Sequence, residues 1–179
     1  MKKMLALAVM AFVAFAPAIA KAQAAPSSDK VSGLLKDAKA AAYQLKTDSE
    51  ELSSYSKTSI TWTSHAVQVK KIREDVNKIG PIVTDLNNEK AMAAPWQKEA
   101  IERITPLLRE LAANMEMTID HLSDKSAQVK LNTPVYHEYV KANGEMAADL
   151  SGLISDFVSY DEAKQKFEDL TRRLEVPQT

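Results

Sequence analysis

The feature that most constrains this chain is a pair of apolar stripes on either side of Ala94-Pro95. Before that point apolar residues recur as Val69, Ile72, Val76, Ile79, Val83 and Leu86. After it they recur as Ile101, Ile104, Leu108, Leu111 and Met115, with Leu122 one repeat further on. Alternating steps of three and four lay each run along one face of a helix, the seam of an antiparallel pair. Two long helices with so short a connection must pack side by side. The chain is therefore expected to be all-α.

Two further stripes extend the pattern. Val31, Leu35, Ala38, Ala42, Leu45 and Leu52, with Ser49 in the one gap, mark a first helix of about 27 residues, near 40 Å long. Its phase fails after Leu52, where Ser53 to Ser64 is rich in Ser and Thr, hydroxyls that compete with the helical backbone. A turn is expected near Ser56 to Ile60. A hydroxyl-lined ligand patch with Tyr55 and Trp62 is the functional alternative for that stretch. Helix two then runs to about Ala93, and helix three from Pro95 to about Ser123. Gly80-Pro81 and Thr105-Pro106 interrupt them without loss of phase, so both are read as kinks. Pro81 lies 13 residues before Ala94 and Pro106 lies 12 after it, which sets both bends at one height. A polar connection from Ser123 to Asn132 leads to Thr133-Pro134, a cap and first-turn pair. The fourth stripe is Tyr136, Val140, Asn143, Ala147, Leu150, Ile154 and Phe157. Phase breaks at Ser159, where Ser159 to Glu162 matches a capping box. A short fifth helix is expected from there, with Ala163, Phe167, Leu170 and Leu174 inward. The expected fold is an up-down-up-down four-helix bundle with this short C-terminal fifth helix, after a cleaved signal peptide.

That signal peptide is residues 1–24. Lys2 and Lys3 precede an apolar run of 13 residues, Met4 to Ala16, followed by small-residue patterns at Ala18-Ile19-Ala20 and Ala22-Gln23-Ala24. The run is too short to span a bilayer. Cleavage is placed after Ala24, with Ala20 as the alternative, leaving one domain over residues 25–179. Loss of Lys2, Lys3 and Lys21 lowers Lys+Arg from 23 to 20 against 24 Asp+Glu, so the mature chain carries −4. A mildly acidic chain argues against a nucleic-acid partner. A periplasmic or secreted location follows from the signal, with no stable membrane anchor after cleavage. Zero cysteines leave the core to supply stability without disulfides.

The same residue inventory limits the chemistry. Covalent haem attachment needs cysteines that are missing. The axial Met and His of a b-type bundle cytochrome are missing too, from the first helix and from Asp161 to Thr179. A di-iron bundle needs Glu three residues before His on two helices. The residues three before His65, His121 and His137 are Trp62, Thr118 and Pro134. Met115 and Met117 beside His121 suggest copper, but Met117 shares a column with Arg103 and Glu110, a solvated face. No Gly-x-Ser-x-Gly and no Ser/His/Asp grouping supports nucleophilic catalysis. The aromatics Tyr136, Tyr139, Phe157, Trp62 and Trp96 are read as core.

One topological expectation concerns metal. In the alternating bundle, helix two starts, helix three ends and helix four starts at one end. His65, His121 and His137 should gather there, with Asp120, Asp124 and Glu138 nearby, a donor set suited to zinc, copper or nickel. His137 shares a column with Gly144 and Ser151 and is expected to face out. The main functional expectation is a non-catalytic exported bundle without cofactor, acting on an unknown protein partner or by self-association, with the bowed middle at Pro81 and Pro106 as the groove. The alternative is a metal- or cofactor-binding bundle that uses the histidine end.

Overall fold

In the computed structural model, residues 27–123, 131 and 133–174 are described. The expected signal peptide, Asp124 and the last five residues lie outside these. Every regular element among the described residues is helical: α1 (Asp29–Tyr55), α2 (Trp62–Glu89), a one-turn 3₁₀ helix (Lys90–Met92), α3 (Pro95–Ser123) and α4 (Pro134–Leu174). The four long helices pack together, α1 and α3 each against both α2 and α4.

Local chemistry accounts for the ends. Ser28 caps α1 by accepting from the Val31 N–H, and Thr61 caps α2 by accepting from Ser64. Thr133 does the same for α4 through the Tyr136 N–H at 3.3 Å. The hydroxyl-rich stretch after α1 is a turn, as its composition implies. Pro81 and Pro106 both lie inside continuous helices. The neighbouring helices hold the turns that each proline weakens.

The stripes form one core. Val31, Leu35, Leu45, Leu52, Ile72, Ile79, Leu86, Ile101, Ile104, Leu111, Tyr136, Leu150 and Ile154 are all buried in a single cluster. Met115 is in it and Met117 is exposed. Polar rungs cross this core at several heights. Gln97 uses its whole amide: Nε2 donates to Ser28 O (2.9 Å) and Ser32 Oγ (3.1 Å), and Oε1 accepts from the N–H of Ser28 (2.9 Å) and of Ala94 (3.0 Å). That ties the start of α1 to the start of α3, beside the end of α2, where Lys30 meets Glu89 at 2.6 Å. Farther along, Asn114 Nδ2 donates to Asn143 Oδ1 (2.8 Å), and Asn143 Nδ2 to Thr118 Oγ1 (2.8 Å).

Three expectations need correction. Among the described residues no separate helix begins at Ser159: α4 is continuous through Ser159 to Glu162 for 41 residues. The capping-box residues are not used as a cap, because Asp161 is buried against the bundle and accepts from Gln165, one helical turn ahead. The helix has no reason to stop where its backbone bonds continue. Its last three turns also do not fold inward. Ala163, Phe167, Leu170 and Leu174 are exposed, and Phe167 keeps 71% of its surface in solvent and Leu174 85%. Trp62, Trp96, Tyr139 and Phe157, read as core, are only half-buried at its rim. Their polar tips explain this for the tryptophans, whose indole N–H groups bond Leu122 O (3.2 Å) and Ser27 Oγ (3.2 Å).

Candidate functional site

Three places carry chemistry beyond packing. The first is the end where the histidines lie. His65 sits one turn into α2, held there by the Thr61 cap, and Tyr136 one turn into α4, held by Thr133. Both are buried, and His65 Nδ1 shares a hydrogen bond with the Tyr136 hydroxyl at 2.8 Å. His121, from the end of α3, stacks on the same tyrosine ring at 5.6 Å between centroids. Tyr55 meets His65 edge-on, and Tyr139 meets His121 edge-on. His137 is exposed, with its ring 6.4 Å from that of Tyr136.

The three histidines thus surround Tyr136, but its ring stands between them. The phenol occupies Nδ1 of His65, which leaves only Nε2 to meet a metal. Among the described residues no three His, Asp or Glu side chains converge on one point. Burial, with a smaller contribution from His137, holds the His65 imidazole below its ordinary pKa, and burial pushes the Tyr136 phenol up. A hollow of about 430 Å³ opens beside them, lined by Tyr55, Ser56, Thr61, Trp62, His65 and Leu131. This is the stretch in which the sequence suggests a hydroxyl-lined patch.

The second place is a buried acid pair between α1 and α2. Asp48 accepts from Gln44 (3.1 Å) and from Gln68, which also bonds the Asp48 carbonyl at 2.8 Å. Asp75 is paired through Oδ1 with Lys78 at 2.7 Å, while its buried Oδ2 has no donor. The group Asp75 faces is the Asp48 carboxyl, and two carboxylates bond each other only when one holds a proton. Burial therefore raises Asp75 above the ordinary carboxylate range. Burial acts on Asp48 in the same sense, but bonds from Gln44, Asp75 and Gln68, with Lys71 nearby, outweigh it and hold Asp48 low.

The third is an outer surface. A shallow groove of about 680 Å³ runs between α3 and α4, lined by Pro106, Leu107, Ala148, Gly152 and Leu153 and edged by Glu102, Arg103, Asp149 and Asp156. It adjoins a recess formed by Trp96, Phe157 and Tyr160, where Arg103 lies 5.7 Å over the Phe157 ring. Another groove, of about 470 Å³, opens between α2 and α3 beside Gly80 and Thr105, at the height of the two prolines. Beyond the bundle, α4, which forms one wall of the α3–α4 groove, carries the exposed stripe.

Comparisons with protein-family models, with curated proteins and with solved structures find no match to this chain. No helix among the described residues is long and apolar enough to cross a membrane.

Sequence reasoning placed Asn143 on its stripe but missed Gln97, Asn114 and Thr118. Gln97 and Thr118 continue the α3 stripe four residues before Ile101 and three after Met115, so their register was visible. Asp48 and Asp75 flank their stripes and carry no such signal, because charge there usually means a solvated face.

Proposed function

We propose that this is an exported interaction protein: a periplasmic or secreted up-down-up-down bundle, released from its signal peptide, that acts by binding a protein surface and not by catalysis. The alternating topology is supported by the cross-helix bonds, which join the start of α1 to the end of α2 and, through Trp62 and Leu122, the start of α2 to the end of α3. The observation that carries the functional reading is the exposed stripe Phe167, Leu170 and Leu174 on a helix that outruns its own bundle. Apolar side chains lined up on one helix face favour a partner that covers them. By contrast, the polar groups inside the bundle are mostly engaged in structural bonds.

Two experiments test this. Fractionation of the producing cell, with the N-terminus read by mass spectrometry, should find the chain in the envelope or medium, starting near Ala25. A chain that keeps residues 1–24 inside the cytoplasm refutes the export half. A photo-crosslinking residue at position 167 should form a protein adduct in the cell, and the same probe at exposed Glu116 should not. Equal absence at both positions refutes the interaction half.

A second reading, a transition metal at the histidine end, is favoured by His65 and His121 meeting on one tyrosine. Calorimetric titration with zinc or copper, repeated on His121→Ala, tests it; unchanged weak binding in the variant retires it.

A further inference from the structure

The far part of α4 divides one strip of helix surface into two chemistries. At 3.6 residues per turn, Ala163, Phe167, Leu170 and Leu174 all lie within about 40° of the direction opposite Ile154, which points into the core. Glu145, Asp149, Gly152 and Asp156 lie within the same about 40°. Over the bundle, then, the outward strip of α4 is acidic, with a bare backbone at Gly152. Past Tyr160 it is apolar, with Lys164, Lys166 and Arg173 along its two edges. Residues 162–174 extend about 20 Å beyond the level at which Tyr160 meets Trp96.

We propose that the occupant of this stripe is a second copy of the chain. The copies would lie with α4 antiparallel about a two-fold axis near Tyr160, so that each overhang rests in the α3–α4 groove of the other. This rests on the reading of the protein as an interaction bundle and names its partner. In that arrangement Phe167 is level with Gly152 of the second copy, where no side chain stands in the way. Leu170 is level with Asp149 and Ala163 with Asp156. The basic edges come against acids: Lys164 and Lys166 flank Asp156, and Lys166 and Arg173 flank Asp149.

Charge decides between this and the simpler zipper of overhang on overhang. A parallel pair of overhangs sets Lys164, Lys166 and Arg173 against themselves. The antiparallel arrangement sets them over a strip that carries Asp149 and Asp156, with Glu102 of α3 along the Lys164 edge. In the single chain, Lys164 is paired with Glu168, and Arg173 with Asp169 at 2.8 Å. Both lie one turn apart along the helix; the Arg173 pair is exposed and weak enough to exchange for a partner's carboxylate, whereas the Lys164 side chain is 25% exposed and adds less. The contact runs from Glu145 to Leu174, about 44 Å at 1.5 Å per residue, and occurs once about a single axis. With a helix about 10 Å wide this buries roughly 900 Å² over the two copies before the groove wall is counted, the size of a weak, concentration-dependent interface. It is isologous, so it closes at two copies.

The chain has no cysteine, so introduced pairs report cleanly. The full-length chain is expressed and purified in the form the cell leaves it. Sedimentation velocity should find a dimer at micromolar concentration. Phe167→Asp should make it monomeric with an unchanged helical circular-dichroism spectrum, since Phe167 is not in the core, and with a melting temperature that no longer depends on concentration. Asp149→Lys with Asp156→Lys should also give monomer, and adding Lys164→Asp with Lys166→Asp should restore the dimer. Asp149→Cys with Leu170→Cys should oxidise to a covalent dimer; the two positions are about 32 Å apart on one helix, far too distant to join within a chain. Glu138→Cys with Leu170→Cys, on the same strip but out of register, should not. A monomer throughout this range, or equal cross-linking of both pairs, overturns the proposal. If residue 170 instead joins a cysteine placed in residues 1–26, the stripe belongs to the chain's own N-terminal segment and the second copy is refuted. If the chain is monomeric but a probe at 167 captures a different protein, the interaction reading stands and this inference falls alone.

Discussion

Replacing Asp75 with asparagine should make the protein more stable at neutral and alkaline pH. Asp75 Oδ2 is buried without a donor, and the Asp48 carboxyl is the acid beside Asp75. An asparagine amide in that place supplies the missing N–H, and it removes a negative charge from beside another. A buried polar atom left without a partner costs about 1–3 kcal/mol. Against that stands the pair with Lys78, whose side chain is 65% exposed, so its loss subtracts at most about 1 kcal/mol. With about 2 kcal/mol taken for the orphaned atom and about 0.5 kcal/mol for the pair, the net gain is about 1–2 kcal/mol, or roughly 2–8 °C in Tm for a domain of this size. The gain must also depend on pH. A carboxyl whose folded pKa is raised contributes its stability below the ordinary carboxylate value and loses it as pH rises through the folded value. The introduced amide cannot titrate, so the advantage of Asp75→Asn should be small near pH 4 and grow toward pH 8. Thermal melts of parent and variant across that range measure it. A variant less stable than the parent at pH 8 refutes the reasoning and shows that the Lys78 pair outweighs the orphaned oxygen.

Other perturbations probe the core and the histidine end. Leu108→Ala should destabilise by about 2–5 kcal/mol through a core cavity, whereas exposed Glu110→Ala should lie within about 0.5 kcal/mol of the parent; equal melting shifts would refute the register of α3. His65 has its folded pKa depressed by burial, so the stability it contributes is full above its ordinary value and declines as pH falls below it. His65→Gln should flatten that decline in urea melts, and an unchanged pH slope would count against it. Pro106→Ala restores a backbone bond inside a continuous helix and should preserve or raise Tm, and a fall of several degrees would mean that α3 needs the proline's geometry.

The fold was legible where apolar periodicity carried it. The stripes of α1 to α3 reappear as buried residues almost position for position, and Pro95 and Thr133 mark the starts of α3 and α4 through local chemistry. The gathering of the histidines around Tyr136 followed from counting helix ends. The tyrosine standing among them did not, because the direction of a side chain within the first turn depends on packing that periodicity leaves open. The capping motif at Ser159 misled for a similar reason. Four residues with the right hydrogen-bonding groups specify a helix start only when the preceding helix has cause to stop, and burial of Asp161 removes that cause. The inward reading of Phe167, Leu170 and Leu174 failed because a three-and-four stripe identifies a face without saying whether anything lies against it.

The unbroken passage of α4 out of the bundle also bears on how its tip is ordered. A free peptide of about 13 residues is marginal as a helix in water, because its first turn fixes several residues for a single hydrogen bond. Residues 162–174 never face that step. Their first turn is an extension of one already fixed by Ile154, Val158 and Asp161 in the core, and each further residue adds its bond to an existing end. Order should therefore fade gradually toward Leu174, visible as amide exchange that quickens turn by turn. Whatever covers the stripe meets a helix that is already wound, so little of its binding energy is spent on ordering the chain.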